Sequence, residues 1–203
     1  MINYRNNYMN IEYVKQNYTF EILSEKHDLD SFECESEDLN NFLKNDALKQ
    51  QKLNLNLTLL VLCDDVVVGF VSILTDTMKL KIVEDEKTKN KIENKLNISE
   101  NNELPAIKIG RFAIDKMYAK QGLGTHVFRN ILLTVDYISN NIVGLRFITV
   151  EAYAKAFGFY VNKNKFKYRK SDKKLVDDID KIIKQDPTRS FYLYKDIKSL
   201  EKK

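Results

Sequence analysis

Cysteine and histidine are almost missing from this chain. Cys34 and Cys63 are its only cysteines, and His27 and His126 its only histidines. Two cysteines without paired spacing make neither a disulfide framework nor a cysteine zinc site, so they read as reduced thiols. Two histidines leave little for a His-rich metal site or a Ser-His-Asp triad, and metal-free chemistry is expected. No uninterrupted apolar run reaches about eighteen residues, and the polar, aromatic start "MINYRNNYMNIEYVKQNY" lacks the apolar stretch of a signal peptide. The protein is therefore expected to be soluble and cytoplasmic, with no membrane partner. Neither charge sign dominates. With 33 basic and 29 acidic residues the formal charge is +4, which helps hold a polyanionic ligand but does not demand nucleic acid.

Internal repeats, low-complexity linkers and compositional breaks are absent as well, so 203 residues, 43% of them apolar, are expected to form one domain with a real core. The expected division is a leader over residues 1–27, available to the first strand, and a domain over residues 28–198. Charged insertions fall near residues 78–103 and 170–188.

What is present is a series of patterned segments. In "FECESEDLNNFLKNDALKQQ", Leu39, Phe42, Leu43 and Ala47 share one face at helical spacing, and Glu37 and Asp38 occupy the first turn, where carboxylates suit the positive helix end. "LTLLVLCDDVVVGFVSIL" gives two Val-rich runs broken by Asp64 and Asp65, the pattern of a tight antiparallel hairpin. The charged segment after it predicts an exposed helix and loop. Pro105 opens "AIKIGRFAID", a strand leading to two glycines. From Thr125 onward, Val127, Phe128, Ile131, Leu132, Val135 and Ile138 line one helical face. The strand "LRFITVEAYA", a short helix around "KAFGFYVNK", a helix bearing Leu175, Val176, Ile179, Ile182 and Ile183 with Ser171 as its cap, and the strand "SFYLYKDI" complete the chain.

The sequence "YAKQGLGT" therefore joins a strand to a helix. Such a junction is an anion site, because the first N–H groups of a helix have no partners and the helix dipole favours negative charge. A Walker loop is excluded, since Thr125 and His126 stand where Lys followed by Ser or Thr is required. A dinucleotide fingerprint lacks its third glycine and would belong early in a parallel sheet. The glycine loop of coenzyme A-dependent acyltransferases remains.

At this point several motifs in order resemble the GNAT superfamily of N-acetyltransferases. Their loop pattern is Q/R-x-x-G-x-G/A, which "YAKQGLGT" matches at Gly122 and Gly124 but not at Ala119. "PAIKIGRFAID" resembles the family's fourth strand, "FITVEAYAKAFGFYVNKNKF" its fifth strand and following helix, and "TRSFYLYKDIKSL" its closing strand. "FECESEDLNNFL" resembles a segment found in a GNAT group that includes toxins of toxin–antitoxin pairs. The resemblance runs from about Phe32 to Leu200. It implies an α/β (α+β) fold with a central mixed, mostly antiparallel sheet, splayed parallel fourth and fifth strands, and flanking helices.

The same resemblance implies acetyl-CoA as cofactor. Phe112, Ala113 and Ile114 would pair with pantetheine through their backbone while also serving as strand core, and Gln121, Gly122, Leu123, Gly124 and Thr125 would cradle the pyrophosphate. Tyr160 matches the tyrosine that the family places near the coenzyme sulfur as general acid. Phe159 to Phe166 spans eight residues against the family's seven, with Lys165 in place of glycine. Counting back from Phe166 puts Val161 in the tyrosine position, so a packing aromatic is the other reading of Tyr160. Glu151 fits either a proton acceptor acting through water or an ion pair at a strand end. Arg111 matches the Arg of the family's "GR" pair and fits either a structural role or contact with an anionic acceptor.

The implied function is acetyl transfer to a primary amine of a small molecule, peptide or aminoacyl-tRNA. A toxin acetylating aminoacyl-tRNA, with an antitoxin partner, is the narrower alternative, and a non-catalytic CoA-binding or interaction module the third. A homodimer is compatible with each.

Overall fold

Local sequence signals set most of the elements. A computed structural model of the protein describes residues 9–200. Asn10 caps helix α1 (Ile11–Asn17), its side-chain oxygen accepting from the Glu12 amide at 2.8 Å, and strand β1 (Thr19–Ile22) follows. The expected amphipathic helix is present in three pieces: α2 (Glu37–Asn41), a π-helical turn (Phe42–Asp46) and α3 (Ala47–Lys52). Phe42, Leu43 and Ala47 are buried and Leu39 packs beside them, as their spacing predicts.

Asp64 and Asp65 make the two-residue turn between β2 (Leu57–Cys63) and β3 (Val66–Lys79), with φ of 48° and 61°. Two positive φ values give the turn that matches strand twist, and Asp is among the few residues that accept them. The antiparallel register runs from Cys63 opposite Val66 to Leu57 opposite Ile73.

The charged segment that follows differs from the expected exposed helix and loop. Helix α4 (Glu86–Leu96) is largely solvated and is capped by Asp85, which accepts from the Thr88 amide at 3.0 Å. Yet Met78, Leu80, Val83 and Ile92 are buried together with Leu104, Ala106, Phe147 and Tyr194. Met78 lies in the end of β3 and Leu80 in a 3-10 turn (Leu80–Ile82), so no single period connects these apolar residues along the sequence.

Strand β4 (Glu103–Ile114) leads to helix α5 (Leu123–Asn141), in which Val127, Phe128, Ile131, Leu132 and Val135 are buried. After it come β5 (Phe147–Tyr153), a π-helical turn (Phe159–Lys163) and the two-residue strand β6 (Lys167–Tyr168), which the sequence pattern does not foretell. The second charged segment forms two short helices, α6 (Lys173–Asp177) and α7 (Ile179–Gln185), where one was expected. Ser171 caps neither, its hydroxyl donating instead to Asp172 Oδ1 at 3.1 Å. Strand β7 (Ser190–Asp196) closes the sheet.

The strand order is β1-β2-β3-β4-β5-β7-β6, a mixed seven-stranded sheet in which β4 and β5 are parallel. Parallel neighbours require a crossover, and α5 supplies it. The chain makes two compact units, one containing residues up to Leu74 with Ile109–Asn130, the other Thr75–Lys108 with the residues from Ile131. The first has a core around Phe32, Leu43, Leu60 and Phe70, and the second the cluster around Met78, Leu80, Phe147 and Tyr194. Among the described residues no helix is long and apolar enough to cross a membrane.

Candidate coenzyme site

Strand β4 delivers the chain to Asp115, a carboxylate only 6% exposed. Its two oxygens accept the amides of Glu33 and Met117, each at 2.9 Å, and its own amide donates to the Val68 carbonyl at 2.9 Å. The Lys116 amide donates to the Glu33 carbonyl at 2.7 Å, while the Lys116 and Lys120 ammonium groups meet Glu33 and Glu35 at 2.7 and 2.6 Å. Gln121 Nε2 donates to the Met117 carbonyl at 2.7 Å and closes the loop on itself. The "FECE" run is thus the rail on which the loop rests. A buried carboxylate is stable only with such partners.

Gly122 has φ of 87°, a conformation that glycine adopts without strain and other residues do not. Among the described residues a Cβ there would meet the Lys15 side chain at ordinary contact distance, Nζ at 3.6 Å and Cε at 3.9 Å, so the requirement for glycine is conformational. The first rung of the α5 ladder runs from the His126 amide to the Gly122 carbonyl at 3.1 Å. The amides of Leu123, Gly124 and Thr125 therefore precede the ladder, at the positive end of a 19-residue helix. Gln121 and Gly122 are exposed, while Leu123 and Val127 are buried and fasten the helix start. An exposed bend without a Cβ, followed by unladdered amides, fits a pyrophosphate.

The strand residues before the loop are held equally firmly. Phe112 meets the Phe128 ring edge-on at 5.3 Å, and Ala113 is buried. A Cβ at position 69 would lie 2.8 Å from Ile114 Cδ1 and 2.9 Å from the Ala113 carbonyl oxygen. Gly69 is what lets these strands approach. Arg111 is exposed, stacked 5.2 Å over the Phe42 ring, with Nη1 donating to the Gly110 carbonyl at 2.7 Å.

Glu151 and Tyr160 belong to the other unit. Glu151 stands opposite Tyr192 in the β5–β7 pairing, and its half-exposed carboxylate is ion-paired with Lys108 at 3.0 Å. Tyr160 is buried, its ring edge-on to Phe159 at 5.1 Å and Phe166 at 5.7 Å. Burial pushes its phenol well above the ordinary tyrosine value, so the hydroxyl keeps its proton at neutral pH.

The eight-residue interval from Phe159 to Phe166 contains a π-helical turn. The chain from Phe159 is π-helical, and the amides of Asn164 and Phe166 reach back to the carbonyls of Phe159 and Tyr160 at 3.2 and 3.0 Å. A π turn holds one residue more than an α turn. In this turn Tyr160 is buried and Val161 only half-buried. Lys165, where the GNAT pattern that this segment resembles has glycine, takes φ of 59°.

Several polar groups come together here without any motif to announce them. Thr149, fully buried, donates its hydroxyl to Asp76 Oδ2 at 2.5 Å. Tyr192 is pushed up to about 12, by burial first and then by the negative charge of Asp76. Arg169 lies 4.4 Å above the Tyr192 ring. Asp76 and Thr149 lie 73 residues apart in sequence, which is why only folding reveals the pair. Asp115 had a visible signal, as the one acidic residue ending the apolar run "GRFAID".

No protein-family model matches the chain, and no curated protein matches it by sequence. Solved structures do. A tyrosine-to-phenylalanine mutant of KacT is similar at 22% identity and a TM-score of 0.71, over 92% of this chain and 98% of that one. AtaT complexed with acetyl-methionyl-tRNAfMet is similar at 21% identity and 0.70, over 91% and 98%. AtaTR bound with AcCoA is similar at 22% and 0.63, over 92% and 97%. The likeness shows that this chain has the GNAT fold.

Proposed function

We propose that this chain is an acetyl-CoA-dependent N-acetyltransferase acting on a primary amine. The observation that carries the reading is the exposed bend at Gly122, with φ of 87°, leading directly into α5. When bound, acetyl-CoA would supply an acetyl group activated as a thioester. The amides of Leu123, Gly124 and Thr125, with Gln121 and Gly122, hold the pyrophosphate. The main chain of Phe112, Ala113 and Ile114 would hold pantetheine. Tyr160 keeps its hydroxyl proton at neutral pH and gives it to the departing sulfur. Glu151, beside Lys108, takes a proton from the acceptor amine through a water.

A narrower reading concerns the acceptor. AtaT has been solved with acetyl-methionyl-tRNAfMet and, as a mutant toxin, with the C-terminus of the antitoxin AtaR. These neighbours, together with "FECESEDLNNFL", favour an aminoacyl-tRNA amine as acceptor and an antitoxin as partner. The test is incubation of purified protein with labelled acetyl-CoA and, separately, charged tRNAs, peptides and small amines. Label on the aminoacyl group of charged tRNA is the expected result. Label only on peptides or small amines overturns the toxin reading, and label on none overturns the enzyme.

A further inference from the structure

We propose that Lys15, on α1, is a ligand for the coenzyme pyrophosphate and makes up for the polar side chain lacking at Ala119. The inference rests on the acetyl-CoA reading of the Gly122 loop. The GNAT loop pattern begins with Gln or Arg, whereas this chain has Ala119, whose methyl offers no donor. Lys15 Nζ lies 3.6 Å from the point where a Cβ would stand on Gly122, and its Cε at 3.9 Å. Among the described residues nothing else lies within 4 Å of that point once the neighbours in sequence are set aside. The ammonium therefore stands over the one Cβ-free bend of the loop.

Its position is built into the fold. Val14, one residue earlier on α1, is fully buried. Tyr18, just past the helix, meets the His126 ring edge-on at 5.8 Å, and its hydroxyl accepts from Asn130 Nδ2 at 2.5 Å. Both partners lie in the first turns of α5, so α1 is pinned to the helix whose leading amides face the same bend. The Lys15 side chain is only 20% exposed, and much of its stem is packed.

Its present partner does not compete strongly. Lys15 Nζ meets Glu12 Oε1 at 2.7 Å, but the Glu12 side chain is 67% exposed. An exposed pair three residues apart on a helix is weak and screened by salt. A doubly charged pyrophosphate at the positive end of α5 is the stronger partner for the same ammonium. Lysine suits the task, being a compact charge with three donors on a flexible stem.

Calorimetry on the full chain, with acetyl-CoA and 3′-dephospho-CoA as probes at two salt concentrations, tests the assignment. Lys15→Ala is expected to weaken both ligands about tenfold, the loss of one charge-assisted hydrogen bond, and to flatten the salt dependence. Lys15→Arg should bind within about threefold of the parent. Lys15→Met, which keeps the packed stem, should lose as much as Lys15→Ala, and a melting temperature equal to the parent's separates lost charge from lost folding. Unchanged affinity in Lys15→Ala or Lys15→Met overturns the proposal. A loss confined to acetyl-CoA overturns it too, since the contact would then be with the 3′-phosphate. Failure of the parent protein to bind either probe is a different result, which overturns the acetyltransferase reading itself.

Discussion

Two side chains close together in sequence, Tyr160 and Lys165, show how one residue's conformation bears on the proposed chemistry. Tyr160 is buried and its phenol raised above the reference 10.0. Below pH 10 the native and unfolded chains both hold this proton, so no stability changes hands. Above it the unfolded chain releases the proton while the native one keeps it, and stability falls by about 1.4 kcal/mol per pH unit until the native phenol titrates. Tyr160→Phe should therefore lose about 1 kcal/mol less than the parent between pH 10 and pH 11 in denaturant titrations. The same substitution should lower acetyl transfer at neutral pH by on the order of a hundredfold or more, with coenzyme affinity unchanged. Full activity in that variant would reduce Tyr160 to packing. Lys165 holds φ of 59°, which costs a residue with a Cβ about 1 kcal/mol. Lys165→Gly relieves that strain but adds about 0.5–1 kcal/mol of chain entropy, so its melting temperature should lie within roughly 2 °C of the parent's by scanning calorimetry.

At the scale of elements, the charged segment after β3 carries the main departure from the sequence pattern. Its residues are mostly charged, yet Leu80 is fully buried in the cluster with Met78, Val83, Phe147 and Tyr194. The Tyr194 hydroxyl accepts the Glu84 amide at 2.7 Å, fixing the chain as it leaves that cluster. Leu80→Ala should cost about 2–5 kcal/mol in denaturant unfolding, the range for emptying a leucine-sized volume from a core. A cost under about 0.5 kcal/mol would mean that the segment is the solvated insertion its composition suggests. The π turn at Phe159–Lys163 teaches the same lesson in reverse. There the sequence showed an eight-residue interval, and only backbone geometry showed that Tyr160 is buried and Val161 half-buried.

For the whole molecule, binding couples the loop to stability. A ligand that binds only the native chain stabilises it by RT ln(1 + [L]/Kd), about 2.7 kcal/mol at a hundred times Kd. Acetyl-CoA at that excess should raise the melting temperature on the order of 5–10 °C, and adenosine without phosphates should raise it little. Equal shifts from both would place the ligand energy outside the pyrophosphate loop. The formal charge of +4 on 203 residues adds only a mild general attraction for an anion, so in the proposed function the specific part is assigned to the loop amides and Lys15.

The sequence by itself determined the elements whose signals are local. The Asp64–Asp65 turn needs only two residues that accept positive φ, and the buried face of α5 follows from apolar residues at a fixed period. The strand, glycine and helix order around Gly122 was legible for the same reason, and with it the fold. Tertiary structure decided what depends on distance in sequence. Lys15 reaches Gly122 across more than a hundred residues, Asp115 binds the Glu33 amide 82 residues away, and Asp76 meets Thr149. Such pairs leave no spacing to read, because each partner is a common polar residue whose meaning comes only from where the core carries it. The burial of Tyr160 belongs with them, since the π turn that carries it is a property of the folded backbone.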